Sequence, residues 1–372
     1  RFARKAPSDL HAELDSLADT VNIGDGGSSD VWDLSCRTVI DGLRGAIADL
    51  VHDDGADTNR AGEVAASADI AVVVVGYTYV DEGEYIGETD SSLMAMFPPG
   101  DEADVADRFQ AQLAELPHTV KPPRLSDRPR MFSRGGDRSS LRLLPDDVSL
   151  IRAVATANPN TVVVIQGGSA VIITEWADAV PAIAQAWYGG AEAGPGLADV
   201  LVGNVNPSAR LPFTVPVDEA DLPAFDRDAT KFTYDRWHGW WRAAHKGITP
   251  AYPFGFGLSY TTFAIDEVTT SAEGSTIVVG GVLFNTGARD GSDVVQVYAQ
   301  LPDPEAPARL IGFARVDVEA QGRTPFEIVV PIDRLATRDN AGRSWRAPSG
   351  RHTIIVGRFA GDPAATSAEL TL

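Results

Sequence analysis

Ile70-Ala71-Val72-Val73-Val74-Val75-Gly76, followed four residues later by Asp81-Glu82-Gly83-Glu84-Tyr85-Ile86, is the stretch that decides the fold class. The first run is continuously apolar and β-branched, the pattern of a strand buried on both faces in a parallel sheet. The second crowds three acids just past the carboxyl end of that strand, where open α/β sheets bind their ligands. A neighbouring charge or partial burial at such a place can lift one carboxyl pKa enough to make it a proton donor. A solvated acidic loop is the plainer alternative.

The same strand pattern returns at Thr161-Val162-Val163-Val164-Ile165-Gln166-Gly167-Gly168. Between the two, Pro145 to Asn158 carries Val148, Ile151, Val154 and Ala155 at helical spacing. Pro145-Asp146-Asp147 suits a helix start and Asn158-Pro159 a stop. Ala179 to Trp187 is a third apolar run, and Ala191 to Val202 predicts a further helix. This alternation predicts a mostly parallel sheet with helices on both faces over residues 21–217, residues 1–20 being unassigned. Ser91 to Arg134, rich in Pro, Asp and Arg, breaks the rhythm and is expected to form a loop over the ligand crevice.

Residues 218–265 form an aromatic connector with Trp237, Trp240, Trp241, Tyr252, Phe254 and Phe256. From 266 to 372 the texture is short strands between Gly, Pro and Asn turns. Ser275–Asn285, Asp293–Gln300, Leu310–Val318, Thr324–Ile332 and His352–Val356 predict an antiparallel sandwich of immunoglobulin-like size.

The 372 residues suffice for two domains, each with its own core. A net charge of −21, with only Lys5, Lys121, Lys231 and Lys246 as lysines, argues against nucleic acid and anionic membranes as partners. The single Cys36 excludes an internal disulfide and a cysteine metal site, and leaves the compartment open. The six histidines show no ligand spacing, so no metal and no cofactor are expected. Residue 1 is Arg rather than Met, which suggests a mature fragment, a processed subunit or an incomplete reading frame.

Read in order, several segments resemble glycoside hydrolase family 3. They are Asn22-Ile23-Gly24-Asp25-Gly26-Gly27-Ser28-Ser29, Asp81-Glu82-Gly83-Glu84, Gly136-Asp137-Arg138 and Ala186-Trp187-Tyr188-Gly189-Gly190. Gly203-Asn204-Val205-Asn206-Pro207-Ser208-Ala209-Arg210-Leu211-Pro212 and Tyr252-Pro253-Phe254-Gly255-Phe256-Gly257-Leu258-Ser259-Tyr260 follow. Asn285-Thr286-Gly287 and Asp293-Val294-Val295-Gln296-Val297-Tyr298 then resemble the fibronectin type III-like domain that closes many members. The resemblance implies the C-terminal α/β sandwich and fibronectin-like parts of a retaining β-glycosidase, most similar to a β-glucosidase. It implies a β-linked oligosaccharide or glycoside as substrate. It also implies a partner (β/α)8 barrel, without counterpart in this sequence, that holds the nucleophilic aspartate.

Retaining cleavage requires two carboxyl groups about 5–5.5 Å apart, one of them protonated before the bond breaks. The family places its donor glutamate before a glycine in this loop, which maps to Glu82, with Glu84 as the fallback because the match is ambiguous by one residue. Asp25, Ser28 and Ser29 on the glycine-rich segment can exchange hydrogen bonds with sugar hydroxyls, or simply cap a tight turn. Arg138 is a candidate for pairing with the acidic loop or with substrate. Trp237, His238, Trp240 and Trp241 suit sugar stacking or packing between domains. A non-catalytic carbohydrate-binding or scaffold subunit is the alternative. A dinucleotide site is disfavoured, because no acidic ribose ligand stands at the right distance beyond Gly24 to Gly27.

Overall fold

The computed structural model describes residues 37–77, 79–82, 138, 140–226, 229–303, 306–339 and 342–372. The chain divides into two compact units, one holding residues 1–169 and 175–199 and the other residues 170–174 and 200–372. The segment Ser91–Arg134, together with Asp25, Ser28, Ser29, Glu84 and Asp137, lies outside the described residues.

Among the described residues, the first unit has three parallel strands in the order β1 (Ala71–Gly76), β2 (Thr161–Gln166) and β3 (Ala182–Gln185). β1 and β2 are matched residue for residue, Ala71 opposite Thr161 through to Gly76 opposite Gln166. The unit's described helices are α1 (Val39–Ala46), α2 (Thr58–Ala66), the single turn α3 (Tyr79–Glu82), α4 (Pro145–Ala157) and α5 (Ala193–Leu201). α4 starts at Pro145, where a missing N–H costs nothing, and buries Val148, Ile151 and Val154. It packs on α2 and on β1 and β2. α1 opens with a reciprocal cap between Thr38 and Asp41 and crosses the start of α5 closely, where Gly42 meets the Gly194 backbone. Core side chains Val73, Val75, Val163, Val164, Ile165 and Ile151 are each at most 5 % exposed, as a doubly covered parallel sheet requires.

The second unit is a sandwich of two antiparallel sheets. One has the order β12 (Thr366–Thr371), β11 (Arg351–Gly357), β6 (Gly291–Gln300) and β7 (Arg309–Val318); the other has β4 (Phe263–Glu273), β5 (Thr276–Asn285) and β8 (Arg323–Pro331). A short hairpin joins β9 (Thr337–Asp339) to β10 (Ser344–Arg346). Inward side chains of both sheets, among them Ile277, Leu283, Val295, Val297 and Ile354, form one buried core with Leu335 from the turn after β8.

The aromatic connector belongs to this second unit. Its helix α6 (Gly239–Lys246) ends on Gly247 in the left-handed region at φ 65°. Trp240 stacks on Phe254 (5.7 Å) and meets Tyr298 of β6 edge-on (5.6 Å). Leu211 and Val215 bond across to Phe256 and Tyr252. Arg210 pairs with the fully buried Asp293. Asn206 holds the Ser259 hydroxyl and the Tyr260 N–H, both at 2.8 Å. Among the described residues, no helix is long and apolar enough to cross a membrane, and no group of three or more His, Cys, Asp or Glu side chains is arranged to hold a metal ion.

Candidate active site

Three parallel strands deliver their next residues to one carboxyl edge, and Glu82 stands there. β1 ends at Gly76, whose φ of 133° turns the chain aside; a Cβ on Gly76 would sit 1.9 Å from the Gln166 carbonyl oxygen. The chain then passes Tyr77, whose N–H bonds to the Gln166 carbonyl at 3.0 Å, and enters the turn α3 that carries Asp81 and Glu82. β2 runs on into Gly167-Gly168-Ser169. Past β3 come Trp187, left-handed at φ 57°, and Tyr188. Glu82, one of the acids expected beyond the first strand, therefore meets residues from the ends of the other two.

Glu82 is nearly buried, its side chain 11 % exposed, and both of its oxygens accept hydrogen bonds. Arg138 Nε donates to Oε1 at 2.8 Å. The Gly168 N–H donates to Oε2 at 2.7 Å, and the Tyr188 hydroxyl donates to the same oxygen. Gly168 suits this position because a Cβ there would press on the Tyr188 ring at 3.3 Å. Arg138 is itself held: its Nη2 donates to the Ser169 hydroxyl, and its guanidinium lies 4.1 Å from the centre of the Tyr77 ring. The Tyr77 hydroxyl donates to the Arg142 carbonyl at 2.5 Å. Gln185, closing β3, donates to the Gly167 carbonyl at 3.3 Å.

Burial raises the Tyr188 phenol far above its ordinary 10.0, and the hydrogen bond to Glu82 and that carboxylate's charge add to the effect. Tyr188 therefore keeps its proton and acts as the donor to Glu82. Tyr77 is raised as well, again chiefly by burial, with Arg138 pulling the other way.

Of the residues singled out from sequence, Glu82 and Arg138 are brought together as an ion pair. Trp240 packs within the second unit, and Trp237 stacks on His245 with ring centres 3.7 Å apart. Gly168, Ser169, Tyr77 and Tyr188 were not singled out as site residues. For Tyr188 a signal existed, because three residues beyond a third parallel strand is the same sheet edge as the acids.

Comparison with known proteins agrees with this architecture. The family model for the glycosyl hydrolase family 3 C-terminal domain matches residues 11–260, and that for the fibronectin type III-like domain matches residues 293–360. A protein of Aspergillus fumigatus named probable beta-glucosidase I is 36% identical over 242 residues, covering 60% of this chain and 29% of that protein. Its namesake in Emericella nidulans is 34% identical over 295 residues, 72% of this chain and 35% of that one. Among solved structures, the GH3 beta-glucosidase of Bifidobacterium adolescentis aligns at TM-score 0.70 and 26% identity, over 93% of this chain and 47% of its own. A beta-glucosidase of Kluyveromyces marxianus in complex with glucose aligns at 0.66 and 27% identity, over 87% and 34%. The chain thus spans about a third of the length of these curated relatives and a third to a half of the solved chains. With a family model matching most of its length and the expected second domain behind it, the chain belongs to glycosyl hydrolase family 3, as that family's C-terminal domain followed by a fibronectin type III-like domain.

Proposed function

We propose that this chain is the C-terminal portion of a retaining β-glycosidase acting on β-glucosides, and that its acidic segment supplies the general acid/base. The nucleophilic aspartate comes from a (β/α)8 barrel partner, where the glycosyl group is held covalently. An acid from Asp81–Glu84 protonates the leaving oxygen and, once ionised, activates the water that frees the sugar. The observation that carries this reading is the carboxylate at the joint carboxyl edge of three parallel strands, beside Gly167 and Gly168, whose missing side chains let Tyr77 and Tyr188 close in around it. Named β-glucosidases among the relatives support the substrate class.

The test joins the chain to a family barrel and follows release of an aryl β-glucoside. The chain alone should show no turnover, and the joined enzyme should turn over. Replacing Glu82 and Glu84 together by Gln should slow substrates with poor leaving groups by about 10²–10⁴-fold. A non-catalytic carbohydrate-binding subunit is the second reading, favoured by the number of donors already on Glu82. It predicts sugar binding with no gain of turnover on joining the barrel.

A further inference from the structure

The chain is strongly acidic, at a net charge of −21, yet residues 334–351 hold five arginines and a single acid, Asp339. This reversal of sign falls on the β9–β10 hairpin, which forms a two-stranded sheet of its own. The hairpin is rooted at both ends. Leu335 and Ala336 are buried where the chain enters it, and Ala347 packs on the sandwich core where the chain leaves. Arg309 donates to the Arg334 and Ala336 carbonyls at 3.2 and 2.8 Å.

Beyond those roots the side chains face solvent. Arg334, Arg338, Arg343 and Arg346 are exposed, and Trp345 is 66 % exposed. Among the described residues, none of these four guanidinium groups meets a carboxylate, whereas Arg60, Arg210 and Arg323 elsewhere each do. Trp345 stands directly opposite Arg338 in the ladder, so the two project from one face. Its ring stacks on no other ring or cation among the described residues. Neither feature helps the fold, because the indole leaves apolar surface in water and the arginines repel one another. Trp and Arg without Lys is instead the composition of a binding hot spot.

The two side chains also describe their ligand. A guanidinium fork matches a carboxylate, and a flat indole matches the apolar face of a sugar ring. A uronic-acid polymer offers both on each sugar. A nucleic acid or an anionic bilayer packs its charge densely and is repelled by the acidic remainder of the chain. We propose that the β9–β10 hairpin is a binding site for uronic-acid-containing polysaccharide. Trp345 stacks on a sugar ring, Arg338 pairs with its carboxylate, and Arg334, Arg343 and Arg346 supply the surrounding positive field. The site lies in the second unit and needs neither a barrel nor Glu82, so it stands apart from the acid/base reading.

The experiment is affinity electrophoresis of the full chain through gels holding polygalacturonate, a neutral β-glucan or polyphosphate, each repeated with added salt. Polygalacturonate should retard the chain, the neutral glucan should not, and polyphosphate should do so far less. Salt should weaken the retardation. Trp345→Ala should weaken binding about 10-fold, as loss of a hot-spot aromatic does. Arg338→Gln should weaken it by about 10–10²-fold, the worth of a hydrogen bond to a charged group. Phe313→Ala removes an equally exposed ring on β7 and should change nothing. Should Trp345→Ala not fold, Arg338→Gln on the same face decides the site by itself. Absence of retardation, or equal retardation by the neutral glucan, would overturn the proposal. So would equal retardation by polyphosphate with Trp345→Ala unchanged, which marks attraction by charge alone. Sedimentation supplies the last arm: a dimer of the parent chain that Trp345→Ala abolishes would give the hairpin to a second copy and overturn the glycan site.

Discussion

Gly76 and Tyr188 carry the two residue-scale consequences of this site. At Gly76 a side chain would collide with the Gln166 carbonyl in a backbone region reserved for glycine. Gly76→Ala should therefore cost at least ~1–3 kcal/mol from backbone strain alone, read as a fall in thermal midpoint. Tyr188 gives a pH signature. Its phenol is raised in the folded chain above the 10.0 of the unfolded one, so the folded state holds its proton longer. The stability this provides is complete below pH 10 and is lost as pH rises beyond it. Melting curves should show Tyr188→Phe losing less stability than the parent above pH 10, and an equal loss would remove Tyr188 from the titration. The place of Glu82 at the carboxyl end of a buried strand was legible from local sequence, although a solvated acidic loop fitted the same residues. Of its partners, Arg138 was a candidate from sequence, but Gly168 and Tyr188 were not, because they lie 86 and 106 residues away and only strand pairing brings them near.

At the scale of elements, α4 was legible from end to end, with Pro at its start and Asn158-Pro159 at its stop. Local pattern did not disclose that Asn158 is also a tie. Buried behind the helix, its amide donates to the Ala65 and Ala68 carbonyls at 2.9 and 2.8 Å, fastening the end of α2. Its oxygen accepts the Asn160 N–H at 2.8 Å. Asn158→Ala orphans these groups, and urea unfolding should show a loss of about 2–4 kcal/mol, whereas Asn160→Ala should cost far less. The strands of the sandwich were legible where valines and isoleucines alternate. β12, Thr366–Thr371, was missed because its outward residues are polar and only Leu370 is buried. α6 was missed because it is only eight residues long and its tryptophans were read for stacking and packing rather than for helical spacing. The available signal was His245-Lys246-Gly247, a basic last turn followed by a left-handed glycine.

For the whole molecule, two domain textures were legible, but the connector looked separable from the sandwich. Its Trp240 and Gly255 rest on β6, Gly255 accepting from Gln296 at 3.0 Å. Arg210 pairs with Asp293 of the same strand. Limited proteolysis should accordingly release residues 200–372 as one resistant fragment, and early cleavage near Phe263 would contradict these ties. The central proposal is that the acidic segment of this chain serves as acid/base to a (β/α)8 barrel partner. The most direct measurement is azide-dependent turnover of an activated aryl β-glucoside by the barrel-joined chain bearing Glu82→Gln and Glu84→Gln together. The claim predicts a slow enzyme that azide accelerates, with a glycosyl azide as product, because the nucleophile still works and only the base is gone. Undiminished turnover in that double variant, or a slow enzyme indifferent to azide, would contradict it.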